Sequence, residues 1–511
     1  MEPNTGGGMS NVVDSVVQFK RFLILGSYGS AYKSSFEMTH DNIENIKKML
    51  EEEDIDMFML DSIKEVVAEK RAPKQEPCIA ALACILVYTS RASTKKMILF
   101  DMLGIVCPTF SNLTLFLGYL KTLHPDGKMS WGRCMRKGIS MWMERQDSDK
   151  LLYQVTKYKN RNGYTPHDVL KLAHTKTSKS EVNDIFAYVC RKDKHEYKGD
   201  HSLCRAYHIL RTTKDVFLVK DIINALPGKV AWEHIGNQQL LKDKIVWEAL
   251  MQNKSLPYVA FLRNIGRMSS IGVSNTMLCE YLQDHVNGAH PINVLQAYLA
   301  HTDCHRKNSV GDTTWIIDGN RCDGLEAKFF DSIKGLEEIP NKKIYLALDV
   351  SASMASNMCV GMSNMTALDA EIALALSFMR KQPGCITKMF SKSLIDATFG
   401  VDHSLQDVYH SVKYVPFGGT DCSQPMLDAL ENGVFVDCFI VMTDNETNCN
   451  KEPPHIVLQR YRNKINPEAK LVVMAFSSSK FTIADPTDKG MLDVAGVDAG
   501  IWDVLRYFLC G

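Results

Sequence analysis

Asp349, Ser351 and Ser353 stand two residues apart, directly after the apolar run Ile344 to Leu348. One carboxylate and two hydroxyls at that spacing can face a single point beyond a strand end. Two later segments add oxygen donors. Thr420 lies in Gly418-Gly419-Thr420-Asp421, and Asp444 follows the apolar run Cys438 to Met442. A set of oxygens with only two direct charges suits a hard, small divalent cation such as Mg²⁺, with waters completing its octahedron. Asp421 can take the place of Thr420. The plainer reading is that Ser-Ala-Ser caps the next helix and Asp349 holds the turn. Phosphodiester hydrolysis would need two close metals, several bridging carboxylates and a base. No such set is found, so binding is favoured over catalysis, with an open metal position for a partner's carboxylate.

A second group of residues carries positive charge. Between Lys121 and Lys176 there are 12 Lys and Arg against 5 Asp and Glu. At 100° per residue, Arg133, Arg136 and Lys137 share a helix face opposite Trp131, Met135 and Trp142. By the same geometry Lys150, Lys157 and Arg161 form a stripe, with Leu151, Leu152, Val155 and Tyr158 on the other side. Two neighbouring cationic stripes fit a phosphate backbone, with affinity that falls steeply with salt. Against this stands the ordinary solvated helix face. In Asn162-Gly163-Tyr164-Thr165-Pro166-His167, Gly163 reads as the left-handed residue past a helix end, and Thr165-Pro166 as a new cap and first turn. Arg161 and the amides of the following helix can then meet one phosphate. His174, about eight residues into that helix, is either an RNA contact or a partly buried structural histidine.

The elements that must position these groups fall into two kinds. Helical spacing of apolar residues marks Gln75 to Tyr88, Lys95 to Leu103, Trp131 to Met143, Asp149 to Arg161, Pro166 to Ala173 and Leu240 to Met251, among others. Such a succession suggests stacked helical pairs. Gly138 interrupts one of them, at about 1 kcal/mol relative to Ala, and makes its basic face less regular. His305 to Gly324 is rich in Gly, Asn and Asp and reads as a loop or junction. Beyond it, short fully apolar runs alternate with amphipathic helices, the pattern of a doubly wound parallel α/β sheet. Ligands of such sheets sit at the carboxyl ends of the strands. We therefore expect a multidomain chain, with a flexible N-terminus (1–15), an all-α region (16–340) and an α/β domain (341–511).

With 511 residues, 59 Lys and Arg and 59 Asp and Glu, the chain has no net charge, which excludes indiscriminate coating of nucleic acid. That zero is an average, because residues 341–511 hold 15 basic and 19 acidic residues and the rest hold 44 and 40. No apolar run is long enough to span a membrane. Fifteen scattered cysteines, no CxxC and no secretory leader read as reduced, intracellular protein, cytoplasmic with the nucleus also open. Cys190, His195, His201 and Cys204 approach a zinc constellation but lack its close ligand pairs.

Val155 to Gly163, Trp131-Gly132-Arg133 and Lys74-Gln75-Glu76-Pro77 resemble the TROVE module. Asp349 to Met354, Gly418 to Ser423, Thr443 to Thr447 and Phe481 to Pro486 resemble the von Willebrand factor A domain with its metal-ion-dependent adhesion site. In this order they resemble the Ro ribonucleoprotein family. The resemblance implies a ring of HEAT-like helical repeats closed by the A domain. It implies binding of small noncoding Y RNAs on an outer basic surface, and of 3′ ends of misfolded noncoding RNAs in a central hole, as in RNA quality control. It carries RNA contact to Lys157, Arg161 and His174, and metal ligation to Asp349, Ser351, Ser353, Thr420 and Asp444. Arg133, Arg136, Lys137 and Lys150 come from the helical faces alone. The competing expectation is a metal-dependent protein-binding module without RNA function.

Overall fold

A computed structural model describes residues 1–4, 7–26, 43–52, 55–124, 129–190, 202–284, 289–303, 305–308, 311–314, 317–333, 335–359, 362, 364–413, 415 and 418–510. The helical segments appear close to their expected bounds. Glu76–Tyr88 places Pro77 in its first turn, where the missing N–H costs nothing, and buries most of its residues in the interior of the array. Pro166–Ala173 opens with a capping box. Asp168 N donates to Thr165 Oγ1 (3.1 Å) and Thr165 N to Asp168 Oδ2 (2.9 Å).

Some segments depart from expectation: Asp149 to Arg161 is helix only over Ser148–Lys157, and Leu240 to Met251 opens as the 3-10 turn Leu240–Lys242 before helix Lys244–Gln252. Lys95 to Leu103 is helix Ala92–Met97, a π turn Ile98–Met102, and helix Leu103–Val106. Gly138 does not interrupt its helix, which runs unbroken from Arg133 to Arg145. A Cβ there would lie 2.9 Å from both Leu99 Cβ and Leu99 O in the π turn. The glycine thus lets two backbones touch, and the basic face above it stays regular. Trp142 Nε1 donates to Cys107 O (2.7 Å) and Arg145 to Phe100 O, fastening the helix to the π-turn region.

The C-terminal domain is a six-stranded sheet in the order β11-β9-β8-β5-β6-β7. Its strands are β5 (Ile344–Asp349), β6 (Ile386–Phe390), β7 (Leu394–Asp396), β8 (Cys438–Thr443), β9 (Lys470–Ala475) and β11 (Met491–Ala495). All neighbours are parallel except β6 and β7. Strands β5 and β8 are buried along their whole length, which is why they read as unbroken apolar runs. Residues 305–324, expected as a loop, contain the backbone hairpin β3 (His305–Asn308) and β4 (Gly311–Thr314), and then the start of helix Gly319–Ser332.

The N-terminal stretch also differs. Instead of a flexible tail, β1 (Glu2–Pro3) pairs with β2 (Met9–Val12), and β2 pairs antiparallel with β10 (Phe481–Thr482) of the α/β domain. Behind it, helix Ser15–Leu25 packs on β11. Its buried Arg21 donates to Ser479 O (2.9 Å) and Phe481 O (3.1 Å) and pairs with Asp493. The far end of the array, helix Pro291–Thr302, packs on helix Ala367–Lys381. The two ends also meet each other. His290 Nε2 lies 3.0 Å from Arg71 O, Ala499 N donates to the same carbonyl (3.1 Å), and Arg71 pairs with Asp498. The helical-repeat ring is therefore closed on the α/β domain.

Candidate metal centre and nucleic-acid interface

Register places the metal-site residues. Leu348 of β5 faces Met442 of β8, so Asp349 and Asp444 leave the carboxyl ends of adjacent strands. Strand β6 lies on one side of β5 and β8 on the other, which makes this the topological switch point of the sheet. Asp349 Oδ1 accepts from Ser351 N (3.0 Å) and Oδ2 from Thr443 Oγ1 (2.6 Å). The Ser351 and Ser353 hydroxyls are 3.1 Å apart, and Asp444 Oδ1 accepts from Glu446 N (3.1 Å). Burial, and then the Asp444 charge, push the Asp349 carboxyl up to about 7. Burial also raises Asp444. Asp444 Oδ2 is buried without a hydrogen-bond partner. Two buried carboxylates, both raised by burial and one with an orphaned oxygen beside two hydroxyls, form a donor set that a hard cation would satisfy.

Thr420 is buried in the neighbouring loop, where its amide donates to Asn448 Oδ1 (2.8 Å) and its carbonyl accepts from Asn448 N (2.9 Å). Asp421, the alternative donor, is engaged within its own loop. Its Oδ1 accepts from Ser423 N (3.0 Å) and Ser423 Oγ, and Oδ2 from Gln424 Nε2 (2.7 Å), so this carboxylate holds the start of the Gln424–Glu431 helix. Sequence reading missed Glu371. It is fully buried, and its Oε1 accepts from Asp349 N (2.7 Å) while Oε2 has no hydrogen-bond partner. Burial, and then Asp349, raise it well above the usual carboxylate range. A glutamate on the inner face of an amphipathic helix was the available signal. Among the described residues no group of three or more His, Cys, Asp or Glu side chains could hold a metal, so an imidazole- or thiolate-rich centre is absent from them. His195 and His201 of the zinc constellation lie outside the described residues.

The basic helix runs from Arg133 to Arg145, so Trp131 precedes it, half-buried, rather than sharing its apolar face. Arg133, Arg136 and Lys137 are exposed, while Met135, Ile139, Trp142 and Met143 are buried on the opposite face. Lys137 lies 5.5 Å from the Phe100 ring centre. The second stripe breaks up. Its helix ends at Lys157, four residues short of Arg161. Lys150 is exposed in the first turn. Lys157 keeps only 11% of its side chain exposed. Its ammonium lies 3.6 Å from Glu233 and between the rings of Tyr153 (5.5 Å) and Tyr158 (5.2 Å). Burial lowers its pKa, but Tyr153, Glu233 and Tyr158 outweigh this and leave it raised. Its charge is already used within the chain, so it is not an open phosphate cation.

Arg161 is exposed in a tight turn rather than on a helix. Arg161 and Tyr164 exchange backbone hydrogen bonds (3.0 and 2.9 Å), with positive φ at both Asn162 (52°) and Gly163 (79°). Two left-handed residues make this a type I′ turn, which the Asn-Gly pair announces. The turn presses on the array through Gly118, where a Cβ would meet Asn162 Cβ at 3.3 Å. His174 is not inside the helix either. It is the exposed left-handed cap after Ala173, with φ 50°.

Comparison with known proteins follows the same division. The TROVE domain model matches residues 2–217 and 225–309, and the Ro60 vWA domain model residues 343–509. "RNA-binding protein RO60" of Caenorhabditis elegans is 28% identical over 99% of this chain and 90% of its own. The protein of the same name from Deinococcus radiodurans is 28% identical over 99% of this chain and 95% of its own. The crystal structure of the Deinococcus radiodurans RO (RSR) protein is similar with a TM-score of 0.68 at 28% identity, covering 97% of this chain and 99% of that one. A ring of helices closed on an α/β domain, with both family models matching in that order, means that the chain belongs to the TROVE-domain family whose members carry a Ro60 vWA domain.

Proposed function

We propose that the chain is a non-catalytic RNA-binding component of a ribonucleoprotein. The observation that carries this reading is the exposed stripe Arg133, Arg136 and Lys137 on an unbroken helix, flanked in sequence by exposed Lys150, Arg161 and His174. Guanidinium and ammonium groups on a rigid helix neutralise phosphates and release counterions, which favours structured RNA by charge and shape. The two relatives named as RNA-binding proteins support the same partner class. Within it we assign small noncoding Y RNAs to the basic surface and the 3′ ends of misfolded noncoding RNAs to the ring, a role in RNA quality control. Lys157 serves by holding Tyr153 and Tyr158 in place rather than by meeting phosphate. We place this activity in the cytoplasm, with the nucleus as a second compartment.

Asp349, Ser351, Ser353, Thr420 and Asp444 would hold a divalent cation, Mg²⁺ by the hardness of the donors. When bound, that cation supplies a Lewis-acid position open to a carboxylate of a protein partner. The chain's own residues position it. Thr443 and Glu371 orient Asp349, and the Glu446 amide orients Asp444. Purification of the native protein, followed by sequencing of any RNA that accompanies it, tests the proposal. A discrete small structured RNA is expected. Protein free of RNA, captured instead by a protein partner in an Asp349-dependent way, would replace it with the adhesion reading.

A further inference from the structure

The loop that carries Asp444 is stitched to the loop that carries Thr420. Thr447 Oγ1 donates to Thr420 O (3.3 Å), and Asn448 N and Cys449 N donate to the same carbonyl (2.9 and 3.0 Å). Thr447 also reaches a distant segment. Its carbonyl accepts from Asn4 Nδ2 (2.6 Å), and Asn4 and Thr447 are both buried. Asn4 is in turn held by its own strand pair. Gly8 N donates to Asn4 Oδ1 (2.9 Å), Asn4 N to Gly8 O (2.7 Å), and Asn4 Nδ2 to Ser10 Oγ (3.1 Å).

Gly8 completes the fit. A Cβ on it would lie 1.9 Å from Thr447 O and 3.0 Å from Asn448 Cα, so only glycine lets the strap lie against the metal loop. The strap is anchored on its far side by β2 pairing with β10 and by Val13 N donating to Lys480 O (2.9 Å). The β10 end also reaches the metal loop, because Ile483 N donates to Asn445 Oδ1 (3.3 Å). The loop bearing Asp444 is thus gripped at Asn445 from one side and at Thr447 from the other.

We propose that Asn4 and Gly8 are positioning residues of the metal centre. The first strands of the chain, matched by the TROVE model, fix the Asp444 and Thr420 loops in the arrangement that holds a divalent cation. This rests on the reading of that centre as a cation site. The strap couples the two modules, since disturbing it at the N-terminus changes cation affinity at the α/β domain.

Mn²⁺ titration of the full chain, followed by electron paramagnetic resonance, tests it. Asn4→Ala removes the bond to Thr447 O while leaving backbone and glycine intact. Because loss of an outer partner commonly weakens metal binding about 10- to 100-fold, a rise of about tenfold in the Mn²⁺ Kd is expected. Asn11→Ala disturbs the same strap at its other anchor. Because Asn11 ties the strap to Ala484 O (2.8 Å), next to the Ile483 grip on Asn445, its loss should also raise the Kd, whereas Asn466→Ala, which removes a buried bond to Val436 O (2.9 Å) at the amino end of β8 opposite Asp444, should lower Tm and leave the Kd within about twofold. Gly8→Ala should match or exceed Asn4→Ala. Equal Mn²⁺ affinity in wild type and Asn4→Ala overturns the strap's role and leaves the cation site standing. A wild-type chain that takes up no Mn²⁺ overturns the cation reading and the strap's role with it.

Discussion

Arg21 offers the sharpest test of ring closure. Its guanidinium is 2% exposed and sits where the first helix of the array meets the α/β domain. It serves Ser479 O and Phe481 O and pairs with Asp493, whose side chain is 9% exposed. Arg21→Ala strands a buried carboxylate and leaves two carbonyls without this donor. Breaking one side of a buried ion pair costs about 3–5 kcal/mol, against a typical domain stability of about 5–15 kcal/mol. Thr482 Oγ1 still donates to Asp493, which favours the lower end, about 3 kcal/mol. A paired Arg21→Met/Asp493→Leu substitution, apolar and of similar volume, should recover most of the loss. Urea unfolding gives the stabilities, and hydrogen exchange at the β11 amides shows whether the seam opens first. A loss below about 1 kcal/mol in Arg21→Ala, or a double variant no better than the single one, would refute the reasoning.

Other outcomes follow from the same geometry. Burial lowers His234 to about 3 and His290 to about 4, so both are neutral when folded, while in the unfolded chain they protonate near 6.5. Their contribution is complete above pH 6.5 and is lost as pH falls from there toward the folded values. Integrated for both groups, the pair should cost about 2.5 kcal/mol between pH 7 and 5.5, read from urea midpoints. Gly138→Val gains helix propensity of a few tenths of a kcal/mol but drives a side chain into Leu99 O, a backbone atom. A net loss of about 1–3 kcal/mol in thermal unfolding is expected. Lys157→Ala leaves Glu233 without its cation, so it should lower stability by about 1–2 kcal/mol and change the salt slope of RNA binding little. Mg²⁺ at a hundredfold excess over its Kd should stabilise the wild type by about 2.7 kcal/mol, an increment that Asp444→Asn should abolish in a thermal-shift assay.

What could be read in advance was local. Asp349, Ser351 and Ser353 lie within one turn of chain, and Asp444 ends a strand whose apolar run is unmistakable. Both could be placed because a strand end and a two-residue spacing are short-range facts. The Arg133 face was legible for the same reason. Lys157 was not, because its fate is set by Glu233, far along the chain, which no helical wheel can show. Arg161 could have been placed better, since Asn162-Gly163 is the strongest short hairpin signal, yet helical periodicity was carried through it. In sequence Gly138 looks like an interruption and Gly8 carries no signal of its own. Their role appears only when Thr447 O and Leu99 O come within reach of an absent Cβ. The strand pairing of Met9–Val12 with Phe481–Thr482 joins opposite ends of the chain, and a short polar strand carries no periodicity to announce it.

The basic helix is the proposed surface on which RNA binding by this chain depends. The deciding measurement is the affinity of purified chain for a structured small RNA across several salt concentrations, wild type against Arg133→Ala/Arg136→Ala/Lys137→Ala. These three side chains are exposed, so the variant should fold with unchanged stability. Loss of three phosphate contacts should weaken binding at every salt concentration and reduce the slope of log K against log salt by about 2–3. A triple variant that binds with the wild-type affinity and slope would show that the RNA phosphates are met elsewhere and not by this helix.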